Sequence, residues 1–202
     1  MNEINLLSSE IINEIAAGEV IERPIAVVKE LIENSIDAKA NKIIISIESG
    51  GISKIVVSDN GIGIENKYLE KSIGKHTTSK LNEHTLYNFI TLGFRGEALH
   101  SISNAAEFTM TTRTYDSMEA YELKVKFGKI VSLRPTKGNI GTIIKVENLF
   151  GNLPVRKKFL KSESSESLAI KNFIKKISLA YPSISFIFME ENKIKLDLIG
   201  RE

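Results

Sequence analysis

Residues 29–61, "KELIENSIDAKANKIIISIESGGISKIVVSDNG", carry two periodicities one after the other, and the change between them sets the fold class. Up to Ala38 the apolar positions recur at helical spacing, with Val28, Leu31 and Ser35 on one side of a segment that Pro24 can open as a first-turn residue. "NKIIISIE" then alternates: Ile43, Ile45 and Ile47 point one way and Ile44, Ser46 and Glu48 the other, as in a half-buried strand. "SGGISK" has turn composition and "KIVVSDNG" is a second strand, so residues 42–59 read as a hairpin beside a helix.

The same signals extend outward from this unit. Before it, "SSEIINEIAAGEV" has Ile11, Ile12, Ile15 and Ala16 at helical spacing, with Ser8 or Ser9 as an N-cap and Gly18 as the end or bend. After it, the pattern loosens from Gly61 to Gly96, where "GKHTTSK" and "LGFRGEA" are loop-like, and "EALHSIS" starts a helix. "EFTMTTRT", "YELKVKFGKIVSLRP" and "GTIIKVENL" are further strands, with Gly128 at a hairpin turn. "ESLAIKNFIKKISLAY" sets Leu168, Ala169, Phe173, Ile174 and Ile177 on one helical face before Pro182, and "SISFIFME" and "KIKLDLI" pair around Glu191-Asn192. The expected architecture is one α+β domain over residues 1–202, a two-layer sandwich with a mixed, mainly antiparallel sheet and helices on one face.

Composition narrows the chemistry. The 202 residues are 42% hydrophobic, enough for a real core, and carry a formal net charge of +2, so any nucleic-acid contact has to come from local patches. Absence of Cys excludes disulfides and thiolate-built metal sites. No apolar run approaches the ~20 residues of a bilayer span, and "MNEINLLSSE" lacks the basic start of a signal peptide.

Four stretches have chemistry in their pattern. Glu30, Asn34 and Asp37, at i, i+4 and i+7, fall within one helical arc. A solvated face has that pattern too, but Asn is a poor interior helix residue and no Lys follows Glu30 at i+4. In "SDNGIGI", Asp59 ends a strand where its carboxylate can accept from an exocyclic amine, and Gly61 and Gly63 admit a close backbone approach; an ordinary Asp-Asn-Gly turn is the plainer alternative. "TLGFRGEAL" brackets Arg95 between Gly93 and Gly96 with a helix beginning at Glu97, which makes an anion site, and "GKHTTSK" adds hydroxyls and lysines. "NIGTIIKV" puts Gly141 and Thr142 at a strand entrance, where the Thr142 hydroxyl is expected to support Asp59. Walker A and Rossmann fingerprints are both absent.

In this order the stretches resemble the Bergerat-type ATP site of the GHKL superfamily, which groups DNA gyrase, heat-shock chaperones, histidine kinases and mismatch-repair proteins. Within it, "EIAAGEVIERPIAVVKELIENSIDA", "SDNGIGI", "KHTTSK", "LGFRGEAL" and "LPVRKKFL" are similar to the signatures of the MutL family. That resemblance implies Glu30 as the base that activates the attacking water and Asn34 as the protein ligand to Mg²⁺. It implies Asp59 as the reader of the adenine amine, with Gly63 and Thr142 beside it. For the phosphates it implies Thr78, Ser79 and Lys80 in a lid over residues 74–96, and the loop of Gly93, Phe94, Arg95, Gly96, Glu97, Ala98 and Leu99. Asp37 is expected to brace this region, and His76 is expected to be an ordinary lid residue.

The resemblance also implies a slow ATP-driven switch. ATP binding would order the lid and an N-terminal arm, residues 1–20, and pair two domains, as a homodimer or family heterodimer, into a clamp on DNA. A mismatch-recognition MutS-type protein would be a partner, in a bacterial cytoplasm at the nucleoid or in a eukaryotic nucleus, with no membrane. Arg156, Lys157, Lys158 and Lys161, with Lys171, Lys175 and Lys176 on the next helix, are the candidate sequence-independent DNA contacts, with a solvated charged face as the alternative. Two departures stand out: "NLPVRKKFL" replaces a more usual Asn-Thr-Pro-Ala-Arg run, and the chain ends at Glu202 without the following domain that supplies a lysine to the γ-phosphate. The expectation is therefore an ATP-binding fragment that hydrolyses weakly or not at all. The competing readings are a non-hydrolytic ATP-driven assembly module and another GHKL member.

Overall fold

The computed structural model describes residues 21–75 and 97–201. Eight strands form one sheet in the order β5-β4-β3-β6-β2-β1-β7-β8. These are β1 (Lys42–Glu48), β2 (Lys54–Asp59), β3 (Glu107–Arg113), β4 (Ala120–Lys126), β5 (Lys129–Thr136), β6 (Gly141–Glu147), β7 (Ser185–Glu190) and β8 (Lys193–Leu198). Every pairing is antiparallel except β1 with β7, so the sheet is mixed in the expected sense. The hairpin at 42–59 is β1–β2, with Ile43 opposite Asp59 and Ile47 opposite Ile55.

Alternation gives the sheet one buried face. Ile43, Ile45, Ile47, Ile55, Phe108, Met110, Leu123, Phe186 and Phe188 lie in the core, while their neighbours along each strand are half-buried or exposed. Two long helices cover this face near β1, β2 and β7: α1 (Pro24–Asp37) and α5 (Glu163–Ala180). Shorter helices are α2 (Leu69–Ser72), α3 (Ala98–Ala105), which follows Glu97 as expected, and α4 (Pro154–Lys158).

The buried stripe of α1 includes the expected Val28, Leu31 and Ser35. Its end has no glycine: Lys39 takes the left-handed φ of 62°, its N–H reaches Ile36 O, and Ala40 N–H reaches Ser35 O at 3.1 Å. That paired bonding is a Schellman closure, which turns the chain back toward β1. At the other end Arg23 donates from Nε and Nη2 to Glu166, whose side chain is fully buried at the start of α5. Arg23 and Glu166 thus tie two elements 143 residues apart.

Helix α5 sits in a different rotation from the expected one. Ile170 and Ile174 are buried and Phe173 and Ile177 pack at the margin, but Leu168 is 57% exposed. Two residues of helix turn the side chain by about 200°, so Leu168 cannot share the face of Ile170. The helix stops at Ala180, before Pro182, and Glu191 and Asn192 make the β7–β8 turn with φ of 49° and 60°. The expected helix over residues 8–18 lies outside the described residues.

Candidate nucleotide site

Helix α1 and the end of β2 meet at Asp59. Its Oδ2 accepts the Ser35 hydroxyl at 2.9 Å, and its Oδ1 accepts the backbone N–H of Gly61 at 2.8 Å and of Thr142 at 3.3 Å. All three donors are neutral. Burial pushes the Asp59 carboxyl above its usual range, against the opposing pull of the bonds from Gly61, Ser35 and Thr142.

The glycines around this acid serve close approaches. Gly63 has φ of +72°, and a Cβ there would lie 2.2 Å from the Arg113 carbonyl oxygen. Gly141 has φ of +114°, with a would-be Cβ 2.1 Å from the Asp59 carbonyl oxygen. Both positions need a residue without a side chain for the turns at 59–63 and 141 to nest. Asn60, between Asp59 and Gly61, accepts from the N–H of Asn41 and Lys42 and so fastens the entrance of β1.

Thr142 supports Asp59 through its amide and not, as expected, through its hydroxyl. The hydroxyl lies 3.0 Å from Thr112 Oγ1, which donates to Gly141 O and accepts the Ile64 N–H at 2.9 Å. The pair of threonines therefore joins the turn after β2 to the entrance of β6. Thr112 and Ser35 are the residues that sequence reasoning did not place in the site. Thr112 is one threonine in the alternation of "EFTMTTRT", and Ser35 reads as a small residue packing on the sheet.

Glu30, Asn34 and Asp37 are all half-buried on α1, the helix that carries Ser35 to Asp59. Glu97, Ala98 and Leu99 form the start of α3, and Leu99 packs against the core. His76, Thr78, Ser79, Lys80, Gly93, Phe94, Arg95 and Gly96 lie outside the described residues, as does the arm of residues 1–20; of the lid only Gly74, Lys75 and no more are described before the gap.

The basic candidates separate in character. Arg156 is half-buried; it donates to Ile21 O at 3.0 Å and lies over the Phe150 ring, 5.9 Å from its centre. Lys157, Lys158 and Lys161 are exposed, as are Lys175 and Lys176, whereas Lys171 is half-buried.

The pocket fits an adenine nucleotide with magnesium on chemical grounds. Neutral donors orient the half-buried Asp59 carboxyl, and among the described residues none of them is a cation that would take up its acceptor capacity for a ligand amine. Among the described residues no three His, Asp or Glu side chains converge as a metal cage. An amide ligand such as Asn34, completed by phosphate oxygens and water, is the arrangement that suits Mg²⁺.

Comparison with known proteins points the same way. Residues 22–146 match the family described as histidine kinase-, DNA gyrase B- and HSP90-like ATPase. The chain is 47% identical over 201 residues to the DNA mismatch repair protein MutL of Clostridium beijerinckii, covering 99% of this chain and 30% of that protein. It is 46% identical over 198 residues to MutL of Rickettsia prowazekii, covering 98% and 33%. The Aquifex aeolicus MutL ATPase domain complexed with ADP superposes with a TM-score of 0.77 at 36% identity, over 91% of this chain and 66% of that one. The N-terminal domain of a DNA repair protein gives 0.80 at 33% identity, over 95% and 57%. The chain thus spans about a third of the length of the curated relatives it matches.

Proposed function

The chain belongs to the histidine kinase-, DNA gyrase B- and HSP90-like ATPase family and is an N-terminal ATPase domain of the MutL type, and on that premise we propose that it binds ATP between α1 and β2 with the base on Asp59 and the phosphates toward Glu30 and Asn34. The single observation that supports this placement most is the neutral cradle of Asp59, a half-buried acid whose donors among the described residues are all uncharged.

Roles follow from position. The adenine amine donates to Asp59, while Gly63 and Gly141 hold the turns close enough to shape the base pocket. Two helical turns from the α1 start, Glu30 orients a water toward the γ-phosphate and takes its proton as the bond to phosphorus forms. Asn34, one turn on, would hold Mg²⁺ by its amide oxygen, and the ion would supply neutralisation of phosphate charge. Thr78, Ser79, Lys80 and the Gly93–Leu99 run close on the phosphates from the lid, and Asp37 braces α1.

For the whole protein the same reading extends to mismatch repair. ATP binding would order the lid and residues 1–20 and pair two such domains on DNA, in concert with a MutS-type partner, in the cytoplasm or nucleus. Lys157, Lys158 and Lys161 are exposed and free to meet phosphates, whereas Arg156 is engaged at Ile21 and Phe150 and acts on the duplex only as part of that packed corner.

The decisive experiment pairs two variants. Glu30→Ala keeps ATP binding by calorimetry and loses turnover by about 10²–10⁴-fold, the span of a general base; Asn34→Ala weakens ATP binding in Mg²⁺ and has little effect in EDTA. Unchanged turnover in both variants sinks the assignment. Association on a non-hydrolysable analogue with no phosphate release from the unsubstituted chain favours the assembly module instead.

A further inference from the structure

Counting protons on the floor of the Asp59 pocket exposes a conflict. Ser35 Oγ lies 3.0 Å from Leu31 O and 2.9 Å from Asp59 Oδ2, so two oxygens stand within reach of its hydrogen. A hydroxyl has one hydrogen. With Asp59 ionised, both neighbours are acceptors only, so Ser35 satisfies one and turns a lone pair on the other. With a proton on Oδ2 the conflict disappears: Asp59 donates to Ser35 Oγ, and Ser35 donates to Leu31 O.

The other oxygen fixes where that proton goes. Oδ1 already receives two N–H groups, from Gly61 and Thr142, and an acid hydrogen there would face donors. Oδ2, toward Ser35, is the position left. Among the described residues, the groups that donate to Asp59 are Ser35 from α1, Gly61 from its own turn and Thr142 from β6, and none of these titrates. Ser35 itself is 3% exposed, so its two arrangements are set by these partners.

We propose that Ser35 is a positioning residue whose hydroxyl turns from Leu31 O to Asp59 Oδ2 as Asp59 gives up a proton to meet a base amine, so that on the acid side nucleotide binding releases a proton. In the free state, while Asp59 carries a proton, the chain of bonds runs Asp59 Oδ2–H to Ser35 Oγ and Ser35 O–H to Leu31 O. In the bound state the ligand N–H donates to Oδ2, which accepts it best as a carboxylate oxygen without a hydrogen of its own. The acid proton passes to solvent buffer, and the Ser35 hydroxyl rotates from Leu31 to Oδ2. The charge balance is one proton out for each ligand amine in. Release approaches one per nucleotide below the free-protein pKa of Asp59 and vanishes well above it. Affinity accordingly falls toward ~10-fold per pH unit on the acid side. The inference rests on the reading of Asp59 as the acceptor of the adenine amine.

Calorimetry of ATP binding to the 202-residue chain, in buffers of different ionisation heat across the acid range, measures the released proton. Carbon NMR of the Asp59 carboxyl measures its titration without ligand. The expected result is a release curve whose midpoint coincides with the NMR midpoint. Ser35→Ala is expected to raise that midpoint, since the carboxylate loses a donor. It should weaken ATP binding about tenfold, while the triphosphate of purine riboside, which lacks the amine, is weakened little. Equal loss for both ligands, or a release curve unchanged by Ser35→Ala, overturns the role of Ser35 and leaves the adenine site standing. Should Ser35→Ala fail to fold, the unsubstituted chain still decides: ATP binding without proton uptake or release, where NMR shows Asp59 titrating, overturns the proposal. No ATP binding by the unsubstituted chain removes the adenine reading and this proposal together.

Discussion

Asp59 and Glu122 are carboxylates on opposite faces of the same sheet, and they are held in opposite ways. Asp59 lies under α1 with three neutral donors, and burial pushes its carboxyl up. Glu122 lies on the open face, where burial also pushes upward, yet the Arg134 hydrogen bonds and the charges of Lys124 and Arg134 together outweigh it and hold the carboxyl below its usual range. A cation beside an acid completes it. Neutral donors orient an acid without neutralising it, and that leaves Asp59 fit to meet a ligand and Glu122 fit only to join strands β4 and β5.

The contrast breaks most clearly at Asp59. Asp59→Asn is expected to weaken ATP binding by about 10–100-fold, the worth of a hydrogen bond to a charged group, read by calorimetry. Stability falls by less than the lost bonds suggest, because the desolvation of a half-buried charge goes too. An Asn variant that binds ATP normally would put Asp59 in the same class as Glu122. Gly63→Ala sharpens the comparison from the backbone side. With φ of +72° and its new Cβ against Arg113 O, it is expected to cost ~1–3 kcal/mol in urea denaturation, and to lower ATP affinity as the turn shifts.

Glu122→Gln is the smallest change. Its partner Arg134 is 61% exposed, so the loss is ~0.2–1 kcal/mol with salt sensitivity and no effect on ATP affinity. The pH signs are opposite for the two acids. Glu122, depressed in the fold, stabilises above its unfolded pKa, and that contribution is lost as pH falls through its lower folded value. Asp59, raised in the fold, disfavours folding above its folded pKa, and the penalty is relieved as pH falls from there to the unfolded value. Melting curves of Glu122→Gln against pH should therefore lose part of the acid-side decline that the unsubstituted chain shows.

How much of this was legible in the chain depends on the range of the interaction. The β1–β2 hairpin, the helix over 24–37 and the turn at Glu191-Asn192 are local patterns, and each stands where the alternation or the spacing puts it. The parallel pairing of β1 with β7 joins strands more than a hundred residues apart, and no local pattern encodes it. The Schellman end at Lys39 was hidden because the residue in the left-handed position is not glycine. In the pocket, Asp59, Gly63, Gly141 and the Glu30–Asn34 arc carry visible signatures. Ser35 does not, because a serine on a buried helix stripe looks the same whether it fills space or orients an acid. Leu168 misled for the converse reason: an apolar residue within a helix was assigned to the core face, though the rotation set by Ile170 and Ile174 turns it outward.

The tie between Arg23 and Glu166 bears on where this molecule may be divided. The stretch that matches the ATPase family, residues 22–146, holds Asp59, Thr142 and the α1 flank, yet the fully buried acid that grips the first residues of α1 belongs to α5. A cut after Glu147 would also bare the edge of β1 that β7 occupies and uncover the isoleucines beneath Ile170 and Ile174. The stretch that announces the chemistry is shorter than the smallest piece able to fold around it, so dissection by signature would yield the right residues in a chain with no pocket.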